Sequence, residues 1–365
     1  EAHVQVVHRR RHPHVGRGSV GEHGQLLADV DACLVPVLHP DARVGQDVGD
    51  NDISETIQES KSNTYGLSLG GPIIKNKLFI FGNYESIEKT EPGTNWISTG
   101  SPLSGSQISR PTYTELETLS KFMKEKFDYT TGPWEGYNNA TVSEKFLIRT
   151  DWNINDMHKL TARYVHHNSN ADINISNSAS AGFGNRTNSA LAMSYQNSGY
   201  GIMDNTRSIV VELNSKFGNS WYNNFIAGYD KQIEDRGLQG GGLFPTIDIK
   251  NGANTYISVG LDPFTQGNKL SYSTLHFTNN LTKTIGKHSI VLGANFEYFK
   301  SSNLFFSGSN GVYVFNSLAD FYAAADQSAA NGGAPSSVAV SPPFTFQYKY
   351  SALPGGEEPM QVLKS

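Results

Sequence analysis

The sequence predicts an all-β chain, a partial transmembrane antiparallel β-barrel with short periplasmic turns and long extracellular loops. Three observations lead there. Runs of about ten residues or more alternate apolar and polar side chains with period two, the mark of strands with one apolar face. The connections between these runs alternate strictly in length: a few residues near 75, 155, 218 and 286, but dozens over 87–142, 168–205, 233–268 and 302–342. No run of about 18 apolar residues is present from which a spanning helix could be built, a limit that tilted strands of about ten residues escape.

Taken in order, the first hairpin is "NTYGLSLGGPIIKNKLFIFGNYES", residues 63–86. Its turn holds Lys75 and Asn76, and Gly70, Gly71 and Pro72 fall near the membrane rim, where a missing N–H does little harm. The second hairpin runs from "SEKFLIRTDWN" at 143–153 through "INDM" into "HKLTARYVHH". The third joins "SIVVELNSKF" to "SWYNNFIAGYDKQ" around Gly218 and Asn219, and the fourth joins "LSYSTLHFTNNLTKTI" to "HSIVLGANFEYFK" across Gly286 and Lys287. "FTFQYKYS", from Phe344, reads as a ninth strand. Strands of this length exceed the five or six residues usual in a soluble sandwich. Long structureless links are also unusual inside a compact soluble domain. Tyr65, Tyr84, Trp152, Trp221 and Tyr350, near strand ends, suit the aromatic girdles of a membrane barrel.

Within the loops, "PTYTELETLSKFMKEKF" carries a capping box, Thr114 with Glu117, followed by Leu116, Leu119, Met123 and Phe127 on one helical face. It reads as a short amphipathic helix folded onto its own loop. "GLQGGGLFPTIDIKNGANTY", 237–256, is glycine-rich without the phosphate-loop ending and reads as mobile loop.

Residues 1–50 stand apart as an unassigned N-terminal segment. They lack Phe, Tyr, Trp, Ile, Asn, Thr, Lys and Met, all of which occur from Asn51 onward, most of them abundantly. The break marks either a real extension or foreign sequence, such as a joining or reading-frame artefact. Its histidines, His3, His8, His12, His14, His23 and His39, read as solvated side chains of a tail rather than as a metal site. Residues 51–365 form the barrel portion. The whole chain has a net charge of −5, which offers nucleic acid no basic footprint. Cys33 is the single cysteine, so no internal disulfide forms.

"YGLSLGGPIIKNKLFIFGNYE" resembles the first strong barrel hairpin of TonB-dependent outer-membrane receptors of the Oar-like branch. "DWNINDMHKLTARY", "FTNNLTKTIGKHSIVLGANFEYFK" and "GVYVFNSLADFY" are similar to later segments of that branch, in the expected order. The resemblance covers roughly residues 60–365. It implies a barrel of about 22 strands with a plugged lumen, localisation in the bacterial outer membrane, and uptake of a large solute driven through contact with TonB. The plug and the TonB-contacting segment that should precede this hairpin are not recognisable in residues 1–50, so the chain reads as an internal slice of a receptor. Its partners would be outer-membrane lipid, the TonB system through a plug region absent from this chain, and an unidentified solute.

No catalytic motif, paired-carboxylate arrangement or zinc spacing stands out. The chain reads as a non-enzyme with no cofactor and no metal, and His166 and His167 as exposed histidines at an outer strand end. The alternation places Arg149, Asp151, Arg163, Glu212 and Glu297 on the lumen side, as candidates to meet the plug or the solute. The alternative function is a surface adhesin or glycan-binding β-protein without transport activity.

Overall fold

The computed structural model describes residues 31–34, 37–38, 47–48, 51–52, 60–330 and 345–347. Eight long strands dominate: β1 (Lys61–Ile74), β2 (Leu78–Pro92), β3 (Asn138–Asn153), β4 (His158–Ile173), β5 (Tyr200–Phe217), β6 (Trp221–Leu238), β7 (Asn268–Ile285) and β8 (His288–Phe305). Each pairs antiparallel with the next in chain order. The short turns at 75–77, 154–157, 218–220 and 286–287 lie at one end of this meander, as the spacing predicts. The two-residue turn 286–287 needs a left-handed first residue, and Gly286 supplies it at φ 57°.

The strands are 14 to 18 residues long. At about 3.3 Å per residue they rise well beyond the ten or so residues that cross a bilayer. All the turns are at one end, so the surplus projects on the side of the long loops. On the apolar face, Trp152, Phe217 and Trp221 lie beside the turns. Tyr164, Ile209, Tyr229, Leu275 and Tyr298 form one lateral row higher up. From Trp221 to Tyr229 is about 26 Å along the strand, or ~20 Å along the membrane normal at a tilt near 40°, close to the height of a barrel's apolar band. Tyr65 and Tyr84 share this exposed face, and Tyr350 lies outside the described residues.

At the first edge of the sheet, Asp31–Leu34 pairs antiparallel with Gly70–Leu67, and Val37–Leu38 pairs with Thr64–Asn63. The segment expected to stand apart therefore touches β1 through these two short strands. Among the described residues β1 and β8 do not pair, so the sheet is open.

The long connections are not loose. Helix α1 (Tyr113–Phe127), helix α2 (Leu318–Ala330) and a five-stranded sheet build an extracellular cap. The sheet runs in the order Met193–Ser194, Asn254–Val259, Thr246–Asn251, Val312–Phe315, Thr345–Gln347. Leu116, Leu119, Met123, Tyr195, Ile249, Ile257, Val259 and Phe321 share its core. Arg186 and Asp248, both fully buried, tie the link between β4 and β5 to this sheet through a contact of 2.9 Å. Arg186 also donates to the carbonyls of Ser178 and Ala181, and Asp248 accepts from Ser258 Oγ at 2.8 Å. Burial pushes the Asp248 carboxyl above its ordinary range, and the guanidinium offsets only part of that.

Three expectations are corrected here. The glycine-rich stretch 237–256 is not mobile loop, because Thr246–Asn251 and Asn254–Val259 form a buried hairpin turning at Gly252. The capping box of α1 is Thr112 with Glu115, two residues earlier than Thr114 with Glu117; the expected apolar face of Leu116, Leu119 and Met123 is buried. And "FTFQYKYS" adds no ninth wall strand: its described part, Thr345–Gln347, pairs with Val312–Val314 in the cap.

Candidate functional site on the lumen wall

The register decides which side chains share a face. Ile80, Ile148, Ala162, Val211, Ala227 and Phe277 stand on the apolar side. Their neighbours in sequence occupy the other side, which bounds the lumen. All five candidate residues fall there, in two lateral rows. Arg149 lies directly opposite Arg163, and the same row continues through Val210, Gly228 and His276 to Glu297. Asp151 lies opposite Thr161, which lies opposite Glu212, one row nearer the turns.

Three strands bring Arg149, Asp151, Arg163 and Glu212 together. The guanidinium of Arg149 grips Asp151 with both arms, Nε to Oδ2 at 2.8 Å and Nη2 to Oδ1 at 2.9 Å. Thr161 donates to Asp151 Oδ1 at 2.8 Å. This bidentate form is the stronger kind of exposed ion pair. Glu212 accepts from Asn214 Nδ2 at 2.9 Å and from Asn224 Nδ2 at 2.7 Å, and the Tyr222 hydroxyl donates to Asn214. Arg163 is exposed, beside Arg149 of like charge.

Glu297 stands three strands away on β8. It accepts from Asn295 Nδ2 at 3.4 Å, and Asn295 in turn accepts from Thr278 Oγ1 at 2.7 Å. Its cross-strand neighbour His276 lies over Gly228, where an added Cβ would meet the ring at 2.3 Å, and stands 3.5 Å from Asp230. The wall is thus a mixed-charge, hydrogen-bonded surface suited to hydrated groups. No cluster of three or more metal-ligating side chains occurs among the described residues. His166 and His167 point to opposite faces of β4, with His167 Nε2 3.1 Å from Ser143 Oγ.

Sequence reasoning missed two features of this wall. Phe79 and Phe81 lie opposite Asp151 and Arg149, which places aromatic rings beside the ion pair. The run "LFIFG" is apolar on both faces and so hides its register. At the turn end, a hollow of about 760 Å³ is lined by Lys75, Lys77, Asn153, Lys159, Lys216 and Tyr222. Its lysines come from the first short turn, from β4 and from β5, a convergence that no local spacing announces.

Residues 46–348 match the family described as an outer membrane beta barrel domain. Among solved structures, the outer membrane transporter YddB from Escherichia coli is similar at 11% identity and a TM-score of 0.43, over 71% of this chain and 28% of that one. The chain therefore spans little more than a quarter of that transporter's length. No curated protein gives a significant match.

Proposed function

The chain belongs to the outer membrane beta barrel domain family and resides in the bacterial outer membrane, and from that premise we propose that its strands wall the lumen of a TonB-dependent receptor of the Oar-like branch. The receptor takes up a solute too large for a porin, and this portion does no chemistry of its own. The observation that carries the reading is the open meander: eight consecutive strands of 14 to 18 residues whose first and last members do not meet. A closed eight-stranded barrel fills its interior with side chains, whereas larger barrels enclose a channel or a plugged lumen. The mixed charges on the inner face, Arg149, Asp151, Arg163, Glu212 and Glu297, suit a surface that meets a plug or a polar solute. The hairpin resemblance at residues 65–85 supports the TonB-dependent branch.

Thiol labelling in living cells tests this. With Cys33 replaced and Arg149→Cys introduced, a water-soluble thiol reagent added outside should label faster in energised cells than after collapse of the proton-motive force. Energy-driven transport must move whatever fills the lumen. Labelling that is unaffected by energisation would remove active uptake and leave the adhesin or glycan-binding reading.

A further inference from the structure

We infer that the outward face of β4 to β8, just above the apolar band, is a binding site for the phosphorylated saccharide headgroup of an outer-leaflet glycolipid. The first observation is a row. Immediately outward of Tyr164, Ile209, Tyr229, Leu275 and Tyr298 on the same face, the register sets His166, Arg207, Lys231, Ser273 and Lys300 side by side. Strands stand about 4.8 Å apart, so the row spans ~19 Å, wide enough for more than one phosphate. It carries basic residues and no carboxylate. The lumen face of the same strands mixes both signs, with Arg163, Glu212, Asp230 and Glu297.

The second observation is that one member is held in place. Arg207 Nη1 donates to the carbonyls of His167 and Thr206, both at 2.8 Å, and Nη2 donates to Asn168 Oδ1 at 2.7 Å. A guanidinium has five N–H groups, so donors remain for an anion, and the fork geometry matches phosphate. Lys231 and Lys300 are exposed. The nearest carboxylate on this face, Glu144, lies one step further out and accepts from the Tyr84 hydroxyl at 3.0 Å.

The third observation lies directly above the row. An open groove of about 550 Å³, its lining more apolar than polar, sets Glu144, Asn168, Asn170 and Asn205 beside Val142 and Met203. Amides and carboxylates around a groove of this size suit sugar hydroxyls. Apolar band, basic row and a groove that mixes amides with apolar surface thus follow one another outward, in the order acyl chain, phosphate, saccharide with its hydroxyls and C–H faces. A soluble anion has no need of that order, which is why the occupant is a lipid. The inference rests on the chain's place in the outer membrane and not on the uptake reading, so the energised-labelling experiment cannot decide it.

The probe is bis-phosphorylated lipid A, added to the full chain in neutral detergent micelles and read by native mass spectrometry, with dephosphorylated lipid A as the comparison. The phosphorylated form should bind at least tenfold more tightly. Arg207→Gln, Lys231→Gln and Lys300→Gln together should erase that preference. Lys231→Arg with Lys300→Arg should keep it, as should Lys121→Gln with Lys124→Gln on α1. Equal binding of the two lipid forms would overturn the inference, and so would a triple variant that binds like the parent. Competition by inorganic phosphate at the concentration of the lipid would replace the lipid with a free anion and equally overturn it. Should the triple variant not fold, the comparison of the two lipid forms on the parent chain decides alone.

Discussion

The wall and the cap use the same residue types in opposite ways. Leu292 on β8 is 72% exposed, whereas Leu116 and Leu119 in the cap are 0% exposed. Wall side chains turn outward because their partner is hydrocarbon, and the backbone ladder alone joins strand to strand. The cap does what a soluble domain does, burying apolar side chains from four distant segments among themselves. The difference teaches that a long connection in a membrane barrel can be a folded unit, with stability of its own and its own weak points.

The comparison breaks most visibly at the buried ion pair of the cap. Asp248→Ala leaves the Arg186 guanidinium buried without its carboxylate, and removing one partner of such a pair costs about 3–5 kcal/mol. Limited proteolysis of the variant should cut between Ile173 and Tyr200 and between Leu238 and Asn268 while β1 to β8 stay resistant. Simultaneous loss of the wall would show that the two regions are one cooperative unit.

Leu292→Arg strikes the wall instead. It places a charge on the lipid face inside the apolar band, between the Ile290 and Tyr298 rows, at a cost of up to roughly 2–4 kcal/mol. Asn295→Arg, on the lumen face beside Thr278, should cost far less. Denaturant midpoints in lipid vesicles measure both, and equal destabilisation would void the assignment of faces. A smaller effect, about 1 kcal/mol, is expected for Thr112→Ala, which removes the cap of α1. Hydrogen exchange should then quicken in α1 and nowhere in the wall.

The smallest effect is a pH limb. Burial works to raise the Glu115 carboxyl, but the hydroxyls of Thr112 and Tyr256 and the Thr112 N–H outweigh it and hold the group below 4.5. A carboxylate depressed in the folded state stabilises it above the unfolded value and loses that contribution as pH falls through the folded one. Exchange protection of α1 should therefore decline as pH drops below about 4.5, and Glu115→Gln should flatten that decline.

Much of the wall was legible because its information is local. Period-two alternation and turn spacing gave the eight strands, their order and the face of all five charged candidates. What the alternation could not give was strand length, since the extra residues beyond the membrane, such as Asn168 to Ile173, no longer need an apolar side. The cap was opaque for a different reason. In "PTYTELE" both Thr112 with Glu115 and Thr114 with Glu117 satisfy the capping pattern. A residue far along the chain bears on the choice, since the Tyr256 hydroxyl bonds Glu115 at 2.7 Å. The buried hairpin carried a readable Asn251-Gly252 turn signal, which the neighbouring glycines obscured. The basic row was also hidden, because Arg207, Lys231 and Lys300 come together only through the register of four strands.

The strictly sequential pairing of the wall also sets a timetable. Every long strand pairs with the long strand just before or after it, and the separation is least across the four short turns. Such closures are fast, and pairings with nearby residues carry little loop entropy. The cap must gather Leu116, Ile249 and Phe321 from positions scattered along the chain, and its segments are held apart until the strands beneath them have aligned. The hairpins close early, and the cap locks last. In a pulse-labelled refolding experiment the amides of β5 to β8 should gain protection before those of α1.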